Sequence, residues 1–293
     1  MTAAIDPISH TLDVPGATLT YFVRRHDASP RPPLFIIGSP MGAAGFVTLA
    51  GHFTDRTVIT YDPRGVERSP KADPASESTP DEHADDLHRI IEAIGGGPVD
   101  LFASSGGAVN ALALVVRHPD DVRTLVAHEP PASSSLPDRE LVLAACRDIR
   151  DSYARSGFGP AMARFIALVS FAGPLPADYA TRPAPDPAMF GLPTADDGTR
   201  TDPLLWQNMV TCNAYEHDIE ALRAAPTRLV LAISEDSPTT IAGRGATAIA
   251  DRLGTTALPF PGGHDGFLGG EYGGMGKPDA FAARLLEVLD GAG

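Results

Sequence analysis

Three residues of this 293-residue chain, Ser105, Glu129 and His264, have the types and settings that acyl transfer requires. Ser105 lies in Ala103-Ser104-Ser105-Gly106-Gly107, between an apolar run (99–103) that reads as a short buried strand and a helix-like stretch (108–117). Small neighbours let a strand and a helix close on a strained turn that exposes a serine hydroxyl. The new helix then aims its unpaired N–H groups and positive dipole end at any oxyanion formed beside Ser105. His264 lies in Pro261-Gly262-Gly263-His264-Asp265-Gly266-Phe267, directly after the last apolar strand. A neutral imidazole there can take the serine proton and later return it to a leaving group.

A carboxylate must orient that imidazole, and two places compete for the role. Glu129 ends an apolar strand between His128 and two prolines, an expensive place for a charge without a partner. Glu235 and Asp236 follow a later strand, in Ser234-Glu235-Asp236-Ser237-Pro238, an ordinary polar loop and helix-cap composition. The cost of burying a charge favours Glu129, with Asp236 as the rival. An oxyanion needs two N–H donors aimed at one point. The first is expected from Gly106, directly after the serine. The second is expected from Gly38-Ser39-Pro40, where proline has no N–H and Ser39 is the donor left.

These groups need a scaffold that gathers strand ends. Residues 17–25 are β-rich, and 34–37 and 58–61 are apolar strands. Thr79-Pro80-Asp81-Glu82 is a helix start with a capping box, and Leu87, Ile90, Ile91 and Ile94 recur at helical spacing until Gly95-Gly96-Gly97. Strands at 99–103 and 124–129 follow. Alternation breaks over about 130–225, a stretch with helical patches and a loop rich in proline, alanine and aspartate (173–203). It resumes with a strand at 228–233, a helix near 240–253, a strand at 255–260 and a helix from Pro278. The expectation is an α/β fold: a mostly parallel eight-stranded sheet flanked by helices. Residues 1–130 and 226–293 form its core, and 131–225 a helical cap inserted after the sixth strand. Phe165, Phe171, Met162 and Trp206 line a substrate pocket there or form the cap's own small core.

Composition narrows the function classes. A net charge of -14 is the wrong sign for phosphate backbones and anionic membrane surfaces. Nucleic acid and membrane are therefore not expected partners; a small molecule is, with a homodimer left open. Met1–Pro7 lacks the basic and apolar regions of a signal peptide, no run is long enough to span a bilayer, and Cys146 and Cys212 build no disulfide framework. A reduced, cytoplasmic protein is expected. The histidines show no zinc pattern and the glycines no phosphate cradle, so neither metal nor cofactor is expected.

The chain resembles the α/β-hydrolase superfamily over nearly its full length. The signs are Gly38-Ser39-Pro40-Met41-Gly42, Tyr61-Asp62-Pro63-Arg64-Gly65 with Ser69, Ser104-Ser105-Gly106-Gly107, and Gly263-His264. Alanine stands at residue 103, where the superfamily's nucleophile motif begins with glycine. An aspartate nucleophile, which haloalkane and epoxide hydrolysis use on this architecture, is absent at position 105. Within the superfamily, residues 104–131 are similar to the zearalenone lactonases, whose Ser-Ser-Gly elbow is followed by a His-Glu-x-Pro strand end. That resemblance implies Glu129 as the acid, His264 as the base, and Ser39 in place of an oxyanion-hole glycine; it does not extend over 130–225. The function it implies is a cofactor-free serine esterase or lactonase. A carbon–carbon hydrolase of a diketone-like substrate with the same residues, and a ligand-binding protein with a silent triad, are the alternatives.

Overall fold

The computed structural model describes residues 6–95 and 97–291. Most of the N-terminal stretch read for a leader, and Gly96 of the glycine run, lie outside the described residues. Eight strands form one sheet: β1 (Ile8–Val14), β2 (Ala17–Arg24), β3 (Leu34–Ile37), β4 (Val58–Asp62), β5 (Val99–Ser104), β6 (Val122–His128), β7 (Arg228–Ser234) and β8 (Leu258–Phe260). The helices are α1 (Val47–Gly51), α2 (Pro80–Ala93), α3 (Gly106–Arg117), α4 (Arg139–Ser156), α5 (Phe158–Val169), α6 (Met209–Ala214), α7 (Ile219–Ala224), α8 (Ile241–Leu253) and α9 (Pro278–Leu289). The sheet order is β1-β2-β4-β3-β5-β6-β7-β8. The pairs made by β2 with β1 and β4 are antiparallel, and the rest are parallel. This is the expected α/β-hydrolase fold.

The central strands are apolar on both faces because helices cover both. Phe35, Ile37, Leu101, Ala103, Leu125 and Ala127 point to the core under α2, α3 and α8. The alternating residues Leu34, Ile36, Phe102 and Val126 point to the core under α1 and α9. That period of two is the pleat of the strand itself. The capping box of α2 is present: Glu82 N–H donates to Thr79 Oγ1 (3.2 Å), and Thr79 N–H donates to Glu82 Oε2 (2.8 Å). β1 was not foreseen. It is an edge strand with mostly exposed residues, so its sequence carries little hydrophobic contrast.

Because β3 lies between β4 and β5, the chain turns one way after β3 and later returns to its other side. Open α/β sheets bind ligands at such switch points, beyond the carboxyl ends of the strands. Ser39 follows β3 there and Ser105 follows β5. Over that edge, between β6 and β7, lie α4 to α7 with no strand among the described residues. Leu136, Val142, Ile149, Tyr153, Leu168 and Leu205 form a core of their own, joined by Ile241 of α8. Ile219 and Leu222 of α7 instead bury into the sheet-side core. Arg244 of α8 ties this helical layer to the sheet, pairing with Asp138 before α4 and donating to Gly173 O (3.0 Å).

Candidate active site

At Ser105 the backbone turns sharply from strand to helix, with φ 57° and ψ -128°. A non-glycine residue held there stores roughly 1–3 kcal/mol of strain that the surroundings must over-determine. They do so by close approach. A Cβ at Gly107 would come within 2.8 Å of Gly38 Cα, and one at Gly106 within 2.6 Å of Ser39 O. Ser105 N–H donates to His128 O at 2.9 Å, which fixes the turn against β6. Among the described residues, the N–H groups of Ser39 and Gly106 have no acceptor within the protein.

Glu129 is the second residue of this site held at positive φ, at 46°, and its side chain is fully buried. Its carboxylate is fully engaged: Oε2 accepts from His264 Nδ1 at 2.6 Å, and Oε1 from Ser234 N–H at 3.0 Å. Burial pushes this carboxyl up, but the hydrogen bond and charge interaction with His264 outweigh it, so the group is held below the usual carboxylate range. Asp236 makes a different contact, an exposed pair with Lys277 Nζ at 3.2 Å. Glu235 is exposed as well. The buried acid on His264 is Glu129.

Ser39, Ser105, Gly106 and His264 line one cavity of about 470 Å³, within the usual range for small-molecule sites. Ser105 and His264 share its wall without a hydrogen bond between them. Of the four cap residues singled out from sequence, Phe165 reaches the cavity. Met162, Phe171 and Trp206 pack against the core of the helical layer, and Trp206 Nε1 donates to Ala75 O (2.7 Å). The rest of the wall on the side of the helical layer has no sequence signature. Leu204 and Asn208 come from a π-helical turn (Pro203–Asn208), and Met209, Cys212 and Asn213 from α6 directly after it. Cys146 and Cys212 are free, buried thiols, each pushed up to about 12 by burial. Neither is a nucleophile at neutral pH.

Away from this cavity, donor atoms of His88, His118 and Asp121 lie within 4.8 Å of one another, a grouping no sequence spacing reveals. The two imidazoles stack face to face, 3.8 Å apart and 5° from parallel. Ring-nitrogen lone pairs lie in the ring planes, so parallel stacked rings do not converge on one ion. Each ring is satisfied by a carboxylate instead, His88 by Asp121 (2.7 Å) and His118 by Asp85 (2.9 Å).

Residues 34–260 match the family described as α/β hydrolase fold. The hydrolase YraK of Bacillus subtilis (strain 168), itself described as uncharacterized, is 31% identical over 264 residues, 88% of this chain and 89% of that protein. A thermophilic esterase from Thermogutta terrifontis superposes with a TM-score of 0.68 at 16% identity, covering 98% of both chains. The enol-lactonase from Burkholderia xenovorans LB400 gives 0.66 at 16% identity, covering 96% of this chain and all of that one. At such identities the solved structures speak for the fold. No helix among the described residues is long and apolar enough to cross a membrane.

Proposed function

This chain belongs to the α/β hydrolase fold family, and from that membership we propose a serine hydrolase that cleaves a carboxylic ester or lactone. One observation carries the proposal: the 2.6 Å bond from His264 to a buried carboxylate, at the rim of the cavity that Ser105 lines. Ser105 Oγ attacks the carbonyl carbon, and its proton passes to the free nitrogen, Nε2, of His264. Glu129 holds Nδ1 protonated and stabilises the imidazolium as it forms. The N–H groups of Ser39 and Gly106 receive the oxyanion. Collapse returns the proton to the departing alcohol oxygen, leaving an acyl-enzyme on Ser105. A water molecule, deprotonated by His264, then releases the acid and regenerates the serine. Every group in these steps is supplied by the chain, so no cofactor or metal is invoked.

The cavity favours a small, largely apolar, uncharged substrate. Leu168, Val169, Leu204 and Met209 line it, and among the described residues no lysine or arginine does. A substrate carboxylate would lose its water there without gaining a counter-charge. A lactone is the first class to screen, on the resemblance read from residues 104–131 alone. We take 131–225 as the cap that sets this choice.

A fluorophosphonate probe followed by intact-mass and peptide mapping tests the proposal. One adduct on Ser105, lost in Ser105→Ala together with at least ~10³-fold of the turnover, is the expected result. A folded protein that takes no adduct and turns over no activated ester would leave a ligand-binding protein. Cleavage of a diketone without alcohol release would replace the ester with a carbon–carbon bond.

A further inference from the structure

The last residue of β6, His128, sits at the centre of the machinery without touching the cavity. It is fully buried, among the rings of Phe102, Phe260, Phe267 and Phe281 at centroid distances of 5.2–6.3 Å. An imidazole inside an aromatic cage is costly unless both ring nitrogens find partners. They do: Nδ1 pairs with Ser104 Oγ at 3.1 Å and Nε2 with Ser234 Oγ at 3.0 Å. Ser104 is the last residue of β5 and Ser234 the last of β7, so the ring spans three adjacent strand ends.

Each of those contacts leads directly to a reacting group. Ser104 precedes Ser105, whose N–H is held by His128's own carbonyl at 2.9 Å. Ser234 lends its N–H to Glu129 Oε1 at 3.0 Å, and Glu129 follows His128 in the chain. Both strained backbones of the site, at Ser105 and Glu129, are thus anchored on this one residue. Burial lowers the imidazole to about 3, so it stays uncharged beside Glu129. A neutral ring donates to one serine and accepts from the other. It does not compete with His264, whose ring lies 6.0 Å away, for the carboxylate's charge.

We propose that His128 is a positioning residue: by bridging Ser104 and Ser234 it locks the ends of β5, β6 and β7, and so fixes the Ser105 elbow relative to Glu129. This rests on the serine-hydrolase reading. The test is His128→Phe, which fills the aromatic cage but removes both hydrogen bonds, beside His128→Gln, whose amide can still reach Ser234. Expected for His128→Phe is a folded protein with KM within about twofold, and with kcat and fluorophosphonate labelling both down roughly 10- to 100-fold, as misplacement of reacting groups produces. His128→Gln should recover part of the loss.

Wild-type rates in folded His128→Phe would overturn the positioning role. So would a loss that tracks thermal stability and is not recovered by Gln, since that marks packing alone. Should His128→Phe fail to fold, the Ser104→Ala/Ser234→Ala double variant carries the same expectation and the same refutation. A wild-type protein that never labels at Ser105 is a different result: it removes the serine-hydrolase reading and this role with it.

Discussion

Glu129 keeps a negative charge where water cannot reach, because His264 and the Ser234 N–H both stabilise the ionised form. Changing it to Gln keeps the shape but removes the charge that supports the imidazolium. Glu129→Gln should therefore lower kcat by about 10²–10⁴-fold with nearly unchanged folding, by the precedent of wrong-tautomer triads. Asp236→Asn, which breaks only an exposed pair with Lys277, should stay within about twofold in kcat, since such pairs contribute little. Steady-state kinetics on an activated ester decide the matter, and a crippled Asp236→Asn beside an active Glu129→Gln would reverse the assignment. Ser105, Glu129 and His264 could be singled out from the sequence because each follows a strand end and has a type the proposed chemistry needs, and Ser39 because the proline after it has no N–H. His128 could not. A histidine closing an apolar strand looks like core, and its partners are two ordinary serines that become neighbours only through sheet pairing.

At the scale of elements, the elbow works because α3 approaches the turn after β3 almost without side chains between them. Gly107→Ala would put a methyl within 2.8 Å of Gly38 Cα, a backbone atom that cannot rotate away. A loss of about 1–3 kcal/mol in urea-unfolding stability is expected from such overpacking. A Gly107→Ala protein as stable as wild type would show that this approach is not needed. The sheet and its main helices were legible because β3 is an unbroken apolar run, β5 and β6 each carry a mainly apolar stretch (101–103 and 125–127), and α2 opens with a capping box. The π-helical turn before α6 was not. It depends on Asp202, whose carboxylate accepts from the Leu204 and Leu205 N–H groups, and on contacts brought from far along the chain, such as Gln207 Nε2 with Pro74 O (3.1 Å). Local propensity carries no trace of such long-range anchoring.

Across the whole molecule, acidic residues outnumber basic ones, 37 to 23, and many of the basic ones are committed to pairs remote from the reacting groups. Arg56 and Arg123 share the buried Asp100, Arg64 holds Asp86, and Arg244 fastens the helical layer through Asp138. Among the described residues, the cavity wall carries Asp265 and His264 but no lysine or arginine. On the proposed reaction, an uncharged ester enters such a space indifferent to that field. The acid released from it ionises as it forms, and from that moment it is repelled by the protein that made it. Turnover thus carries its own exit drive, and the carboxylate product should inhibit far more weakly than its isosteric amide or alcohol when the three are compared as competitive inhibitors at low salt.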